Sequence, residues 1–178
     1  MRLPGDIHSK EDLSECIRVN HAGEYAAKNI YEAQLKVFKK QPKVRKVLAH
    51  MYEQEKVHLS FFEEQLKEHK VRPSALMPIW HIASKCLGFT TALMGEKAAM
   101  ACTVAVEEAI DEHYQSQISR LDKDYPEFIE HIEKFRSEEL EHKDIALDHK
   151  AVQAPLYPLM HKVIKNGCKL AIKLAKKI

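Results

Sequence analysis

The pattern Glu-x6-Tyr-x2-Gln occurs twice in this chain, at Glu24, Tyr31 and Gln34 and again at Glu107, Tyr114 and Gln117, offset by 83 residues. With 6 tyrosines and 7 glutamines in 178 residues, chance would supply it roughly 0.03 times. Each leading glutamate is followed by a Glu-x-x-His pair: Glu55/His58 begins 31 residues after Glu24, and Glu139/His142 begins 32 after Glu107. Such a pair carries little alone, since 11 histidines and 19 glutamates give about 1.2 by chance. Its fixed distance from the repeated pattern is what constrains the chain. The repeat predicts an internal duplication of a two-helix unit.

The breakers agree with helices. Glycine (5) and proline (7) are scarce, and the prolines are clustered, which argues against a sheet-rich fold with many turns. They leave long helical stretches over 11–39, 43–70, 96–121 and 127–149, with shorter ones over 80–94 and 159–177. Short loops make each long pair antiparallel, and a long segment crosses from one pair to the other. The predicted fold class is all-α: a four-helix bundle with one long crossover, the connectivity of ferritin-like folds, plus extra membrane-facing helices. A single domain over 1–178 is expected, with helix pairs 11–70 and 96–149, an apolar crossover 71–95 and a basic amphipathic tail 158–178.

Charge narrows the function classes. A net charge of +2 gives no nucleic-acid footprint. Charge is segregated, however: residues 107–144 carry a net −8 and residues 145–178 a net +6. Cys16, Cys86, Cys102 and Cys168 show no C-x-x-C spacing and read as reduced packing residues. Residues 1–10 contain no apolar signal core. No stretch reaches the ~18 uncharged apolar residues of a spanning helix.

Helical periodicity groups the repeated residues with apolar ones. Glu24 shares a face with Ile17 and Tyr31, Glu55 and His58 with Leu48, Met51 and Phe62, Glu107 with Met100, Thr103 and Tyr114, and Glu139 and His142 with Ile132 and Phe135. Four carboxylates converging on a core cost several kcal/mol each if uncompensated, and two metal ions would offset that charge. One Glu from each of two helices, plus Glu-x-x-His from each of the other two, is a di-iron carboxylate arrangement. Glu24, Glu55, His58, Glu107, Glu139 and His142 are thus the expected metal ligands, for two iron ions per chain shuttling between Fe2+ and Fe3+. The competing reading leaves these residues as ordinary members of solvated helix faces. His21, one turn before Glu24, is a candidate for orienting a ligand. His113 and Tyr114 are the candidate catalytic residues, positioned to reach the site or a substrate. His8, His50, His69, His131, His149 and His161 follow no pattern and are expected in solvent.

The crossover carries an apolar surplus. Met77, Ile79, Trp80, Leu87, Phe89, Leu93 and Met94 are expected to face a membrane or a hydrophobic partner. The last helix sets Val163, Ile164, Leu170, Ala171, Leu174 and Ile178 against Lys162, Lys165, Lys169, Lys173 and Lys176, a pattern suited to an anionic membrane interface.

Five segments, Arg18–Tyr25 (RVNHAGEY), Gln54–Leu59 (QEKVHL), Val71–Pro73 (VRP), Ala99–Glu108 (AMACTVAVEE) and Glu138–Asp144 (EELEHKD), resemble the demethoxyubiquinone hydroxylase family of ubiquinone biosynthesis. The resemblance covers nearly the whole chain from about Leu13. It implies a ferritin-like di-iron bundle that hydroxylates the ring of a polyprenylated demethoxy-quinol with O2, and it puts the family's six ligands on the residues chosen above. It also implies an apolar face admitting the quinone tail, and a lipid-binding biosynthetic partner protein in some organisms. The expected location is peripheral, on the matrix side of a mitochondrial inner membrane or the cytoplasmic side of a bacterial cytoplasmic membrane. A homo-oligomer remains open. Asn20 stands where the family usually has Asp, and Lys143 where it usually has a second His; neither is a ligand position. Two other functions would use similar ligands: an iron-storage or iron-carrier bundle with no organic substrate, and a membrane di-iron quinol oxidase. In the hydroxylase reading, Glu55 and Glu139 bridge the irons while Glu24/His58 and Glu107/His142 complete them.

Overall fold

A computed structural model describes residues 8–121 and 124–177, residues 8–11 as backbone only. The His8 side chain, residues 1–7, Asp122, Lys123 and Ile178 lie outside the described residues. Six α-helices follow in order: α1 (His8–Val37), α2 (Pro42–Glu68), α3 (Met77–Leu93), α4 (Glu96–Leu121), α5 (Pro126–Asp148) and α6 (Tyr157–Ala175), with single 3-10 turns at Phe38–Lys40 and Ala151–Gln153. The prolines open helices as well as separating them. Pro42, Pro78, Pro126 and Pro158 each occupy one of the first two positions of α2, α3, α5 and α6, where an amide N–H would lack a partner anyway.

Helices α1, α2, α4 and α5 form an all-α bundle. Asn20 meets Gln117 and Tyr31 meets Glu107, so α1 and α4 run antiparallel. Gln54 meets His142, and Phe61 meets Phe128 and Phe135, so α2 and α5 do too. The chain leaves α2 at the opposite end of the bundle from where α4 begins, and the crossover spans that length as α3. Tyr25 pairs with His81 and Glu32 with Lys85, so α3 lies parallel to α1. The contact is close at Gly88: a Cβ there would collide with the Ile30 carbonyl oxygen and lie 2.9 Å from Ala33 Cβ.

Helix α6 repeats this arrangement on α4. His161 and Lys165 meet Glu108, and Lys165 and Lys169 meet Glu112, which makes α6 parallel to α4. The repetition is written in the sequence as well. His69-Lys70 precedes Leu76-x-Pro78-x-x-His81, and His149-Lys150 precedes Leu156-x-Pro158-x-x-His161. His81 binds the residue after Glu24, and His161 binds the residue after Glu107. The repeated features therefore span three helices in each half, where the glutamate–tyrosine spacing predicted two.

Burial corrects several expectations. Met77 and Trp80 are half-buried against Val19, Ala22 and Ala175, and Leu87 is half-buried on the core around Ile30 and Cys102, so these three are less exposed than the expected apolar face. They fall on the side of α3 that meets α1. Ile79, Phe89, Leu93 and Met94 are exposed, Leu93 by 74%. On α6, Ile164 and Ala171 are half-buried, while Leu159, Val163, Leu170 and Leu174 are exposed. Cys86 is exposed on α3, unlike the buried Cys16 and Cys102. His149 and His161 are bound rather than solvated, pairing with Glu96 and Glu108 at 2.8 and 3.0 Å.

Lys70 and Lys150 end α2 and α5 in left-handed conformations, with φ of 54° and 64°. Lys70 N–H bonds Lys67 O and Val71 N–H bonds Leu66 O, the double bond of a Schellman cap, where glycine is normally favoured. Replacing Lys70 with Gly is expected to stabilise the fold by about 1 kcal/mol, read as a rise in the urea midpoint at unchanged slope.

Candidate metal centre

Each of the four bundle helices presents its share of the repeat to the axis because the spacing returns every three or four residues to one face. Glu24, Glu55, His58, Glu107, Glu139 and His142 are all buried, four of them completely. Their donor atoms form two overlapping groups: Glu24, Glu55, His58 and Glu139 in one, Glu55, Glu107, Glu139 and His142 in the other, each within 4.8 Å. Glu55 and Glu139 belong to both. The two oxygens of Glu139 divide between the groups, Oε1 lying 3.0 Å from His58 Nδ1 and Oε2 3.0 Å from His142 Nδ1.

These inward atoms are orphaned. Both oxygens of Glu55, both of Glu139, Oε2 of Glu24, Oε2 of Glu107, and Nδ1 of His58 and His142 are buried without a hydrogen-bond partner. The close Glu139 approaches bring charge together without hydrogen-bond alignment. Buried polar atoms are normally satisfied, and eight orphans converging on one space fit metal coordination by carboxylate oxygen and imidazole nitrogen. The donor set therefore suits a pair of metal ions.

Electrostatics point the same way. Burial, then the Glu139 charge, pushes Glu55 well above the usual carboxylate range, and Glu107 is raised by the same causes. Burial also acts on Glu139, but His142 and His58 outweigh it and hold its carboxyl down at about 2. Burial disfavours a charged His58 ring; the Glu139 and Glu24 carboxylates outweigh it and push His58 up to about 12. Four ionised carboxylates would outnumber the two histidines, and the metal-free site meets this by favouring the neutral form of Glu55 and Glu107.

Groups around the cluster are matched across the two halves. Tyr31 O–H donates to Glu107 Oε1 at 2.7 Å, and Tyr114 O–H donates to Glu24 Oε1. Burial and the adjacent carboxylates raise both phenols well above their ordinary value, so they stay protonated as donors. His58 Nε2–H donates to Glu138 Oε2 at 2.7 Å, and His142 Nε2–H donates to Gln54 Oε1 at 2.9 Å. Each histidine thereby turns Nδ1 inward. Asn20 and Gln117 exchange amide hydrogen bonds of 2.9 and 2.7 Å, a pairing in which the Asn20 amide acts as both donor and acceptor.

Of the two candidate catalytic residues, Tyr114 reaches the cluster. His113 hydrogen-bonds Gln117 instead, at 2.7 Å, and burial, with the Lys176 and Arg120 charges, lowers it to about 4. His21 is buried beside Glu24 with Nδ1 unpartnered. The sequence reading assigned no role to Tyr31, Gln54 or Glu138. Tyr31 was detectable as the repeat partner of Tyr114, and the other two as the residues preceding each Glu of the Glu-x-x-His pairs. A void between α1 and α4, lined by Ala27, Ile30, Tyr31, Thr103, Val106 and Glu107, is too tight for a water molecule.

Comparison with known proteins fits this geometry. The 3-demethoxyubiquinol 3-hydroxylase of Rhodospirillum rubrum is 46% identical over 99% of this chain and 84% of its own length. The human NADPH-dependent 3-demethoxyubiquinone 3-hydroxylase, mitochondrial, is 45% identical over 97% of this chain and 81% of its own. The yeast 5-demethoxyubiquinone hydroxylase, mitochondrial, is 35% identical over 93% and 78%. Residues 11–175 match the family described as ubiquinone biosynthesis protein COQ7, and with relatives at these identities the chain belongs to that family, the demethoxyubiquinone hydroxylases.

Proposed function

We propose that this protein is a di-iron monooxygenase that hydroxylates the ring of a polyprenylated demethoxy-benzoquinol with O2 in ubiquinone biosynthesis. The observation that carries the reading is the set of eight orphaned donor atoms on six buried Glu and His side chains, in a chain whose relatives are named as hydroxylases of this substrate class. Glu55 and Glu139, members of both groups, would be shared by the two irons, with Glu24 and His58 completing one site and Glu107 and His142 the other. Bound there, iron cycling between Fe2+ and Fe3+ would activate O2 for transfer of one oxygen atom to the ring.

The chain's own groups prepare that chemistry. Tyr31 and Tyr114 occupy Oε1 of Glu107 and Glu24 and leave Oε2 of each facing inward. Tyr114 is thus a positioning residue in this proposal, and His113 acts at most through Gln117.

A peripheral membrane position agrees with the surface. No helix among the described residues is long and apolar enough to cross a membrane. The outer faces of α3 and α6 instead carry Ile79, Phe89, Leu93 and Met94, and Leu159, Val163, Leu170 and Leu174. A prenylated ring would approach from lipid past these two covering helices. Lys162, Lys169 and Lys173, exposed on α6, suit an anionic leaflet. The human and yeast relatives are named mitochondrial; the matrix side of the inner membrane, or the cytoplasmic side in a bacterium, is the proposed location. The same stripes are the proposed seat of a lipid-binding partner protein or a second copy.

Four outcomes are expected. The iron-loaded chain, given a nicotinamide reductant, a demethoxy-quinol and isotopically labelled O2, should yield a product with one labelled oxygen, detected by mass spectrometry. Quinol oxidation without incorporation would favour the oxidase, and iron uptake alone the storage bundle. Replacing Glu139 with Ala should abolish iron loading and reduce turnover to background; full turnover in that variant would sink the ligand assignment. Adding metal at about 100 times its dissociation constant should stabilise the metal-depleted chain by roughly 3 kcal/mol. Replacing Glu55 with Gln should raise the metal-free thermal midpoint and shrink that gain, since the amide is neutral without the proton uptake that burial and the Glu139 charge force on Glu55.

A further inference from the structure

The two halves of the cluster match in their four carboxylates and in the two tyrosines that bond them, but not in the groups behind the histidines. Tyr31 and Tyr114 are equivalent, Glu24 and Glu107 are equivalent, and Glu55 and Glu139 are common to both sides. The partners of the histidines differ. His58 Nε2–H donates to a carboxylate, Glu138, at 2.7 Å; His142 Nε2–H donates to a neutral amide, Gln54, at 2.9 Å. Both partners occupy the position immediately before a Glu-x-x-His glutamate, and each reaches across to the histidine of the opposite half. The nearest cation to Glu138 is Lys134, 3.8 Å from the other carboxylate oxygen and largely exposed, so solvent screens it. The other asymmetries near the cluster do not reach the histidines' outer nitrogens: His21 beside Glu24 stands where the other half has Val104, and Asn20 bonds Gln117 on one side while Gln34 and Thr103 each donate to Ala99 O on the other.

A carboxylate on the far nitrogen of an imidazole makes the near nitrogen a stronger donor, whereas an amide acceptor does so far less. The Glu138 carboxylate also adds a negative charge to the His58 side of the cluster. We infer that Glu138 and Gln54 make the two metal positions unequal: the position at His58 binds its ion more tightly and fills first, and the position at His142 fills second. This inference rests on the two-metal reading above. It adds to it a loading order and two positioning residues that act through the histidines.

The test is a titration of Co2+, a visible-absorbing stand-in for Fe2+, into the metal-depleted full chain, with bound metal counted by equilibrium dialysis. The native chain should bind two ions in resolved steps. Glu138→Gln should weaken the first step by roughly tenfold to a hundredfold and leave the second nearly unchanged. Gln54→Glu should tighten the second step by a comparable factor and leave the first, bringing the two together. This gain in affinity is a change that a loosened or misfolded chain does not produce. Two ions bound with equal affinity in the native chain, or Glu138→Gln weakening both steps alike, overturns the inequality and leaves the two-metal reading standing. Failure of the native chain to bind two ions overturns that reading and the loading order with it.

Discussion

Four carboxylates brought together in a dry helical core are the constraint on which the rest of the molecule turns. At about 4 Å and an effective dielectric near 20, each like-charged pair repels by roughly 4 kcal/mol, comparable with a good part of a small protein's net stability. The chain does not relieve this with local cations: no Lys or Arg reaches the cluster among the described residues, and its only basic partners are His58 and His142. It instead spends its surrounding hydrogen bonds on the outer atoms. Tyrosines take one oxygen of Glu24 and of Glu107, and Glu138 and Gln54 take the outer nitrogens of the histidines. What remains unsatisfied on the six cluster residues are the oxygens and nitrogens they turn toward one another. A core that satisfies its periphery and leaves its centre short of cations is arranged for ions that come from outside.

The doubled architecture follows from that centre. Each half supplies two ligand-bearing helices and one covering helix laid parallel on the first, α3 on α1 and α6 on α4. The covering helices are tied at matched points, His81 to Tyr25 and His161 to Glu108, one residue beyond Glu24 and Glu107. An outer helix is thereby registered against the ligand it shields. The outer surfaces of those helices bear the exposed apolar residues, so the elements that seal the cluster are also those that would meet lipid. Chemistry and surface are coupled through a single layer of helix.

The buried Glu and His cluster was legible in the sequence because it combines two periodicities: the helical repeat that puts Glu24, Tyr31 and Glu55, His58 on inward faces, and the offset that copies the first two at 83 residues and the last two at 84. The copied third helix escaped notice because its offset is 80, Leu76 to Leu156 and His81 to His161: α5, at 23 residues, is one turn shorter than α2, at 27, while the loops that follow them are equal in length. Periodicity also failed to orient α3. Nearly every position of that helix is apolar or small, so hydrophobicity alone does not tell the face bearing Trp80 and Leu87 from the face bearing Ile79 and Leu93. What does is the Gly88 approach to the Ile30 backbone, a steric relation between residues 58 positions apart. His149 and His161 were misread for a related reason: a histidine outside any pattern finds Glu96 or Glu108 only once the helices are packed.

Drawing the ligands from four helices has a thermodynamic consequence. A metal held by Glu24, Glu55, His58 and Glu139 touches α1, α2 and α5, and one held by Glu55, Glu107, Glu139 and His142 touches α2, α4 and α5. Each ion therefore joins helices from both halves, and the two shared glutamates make each site part of the other. Binding free energy of this kind is also folding free energy, because the unfolded chain has no preformed site. Phe62, Phe135 and Met51 are buried between the helices, and the Asn20–Gln117, Tyr31–Glu107, His58–Glu138 and Gln54–His142 hydrogen bonds set their register. Ions held by the cluster would add directional bonds to that register, and through the ties at Tyr25 and Glu108 would brace the two helices that cover it.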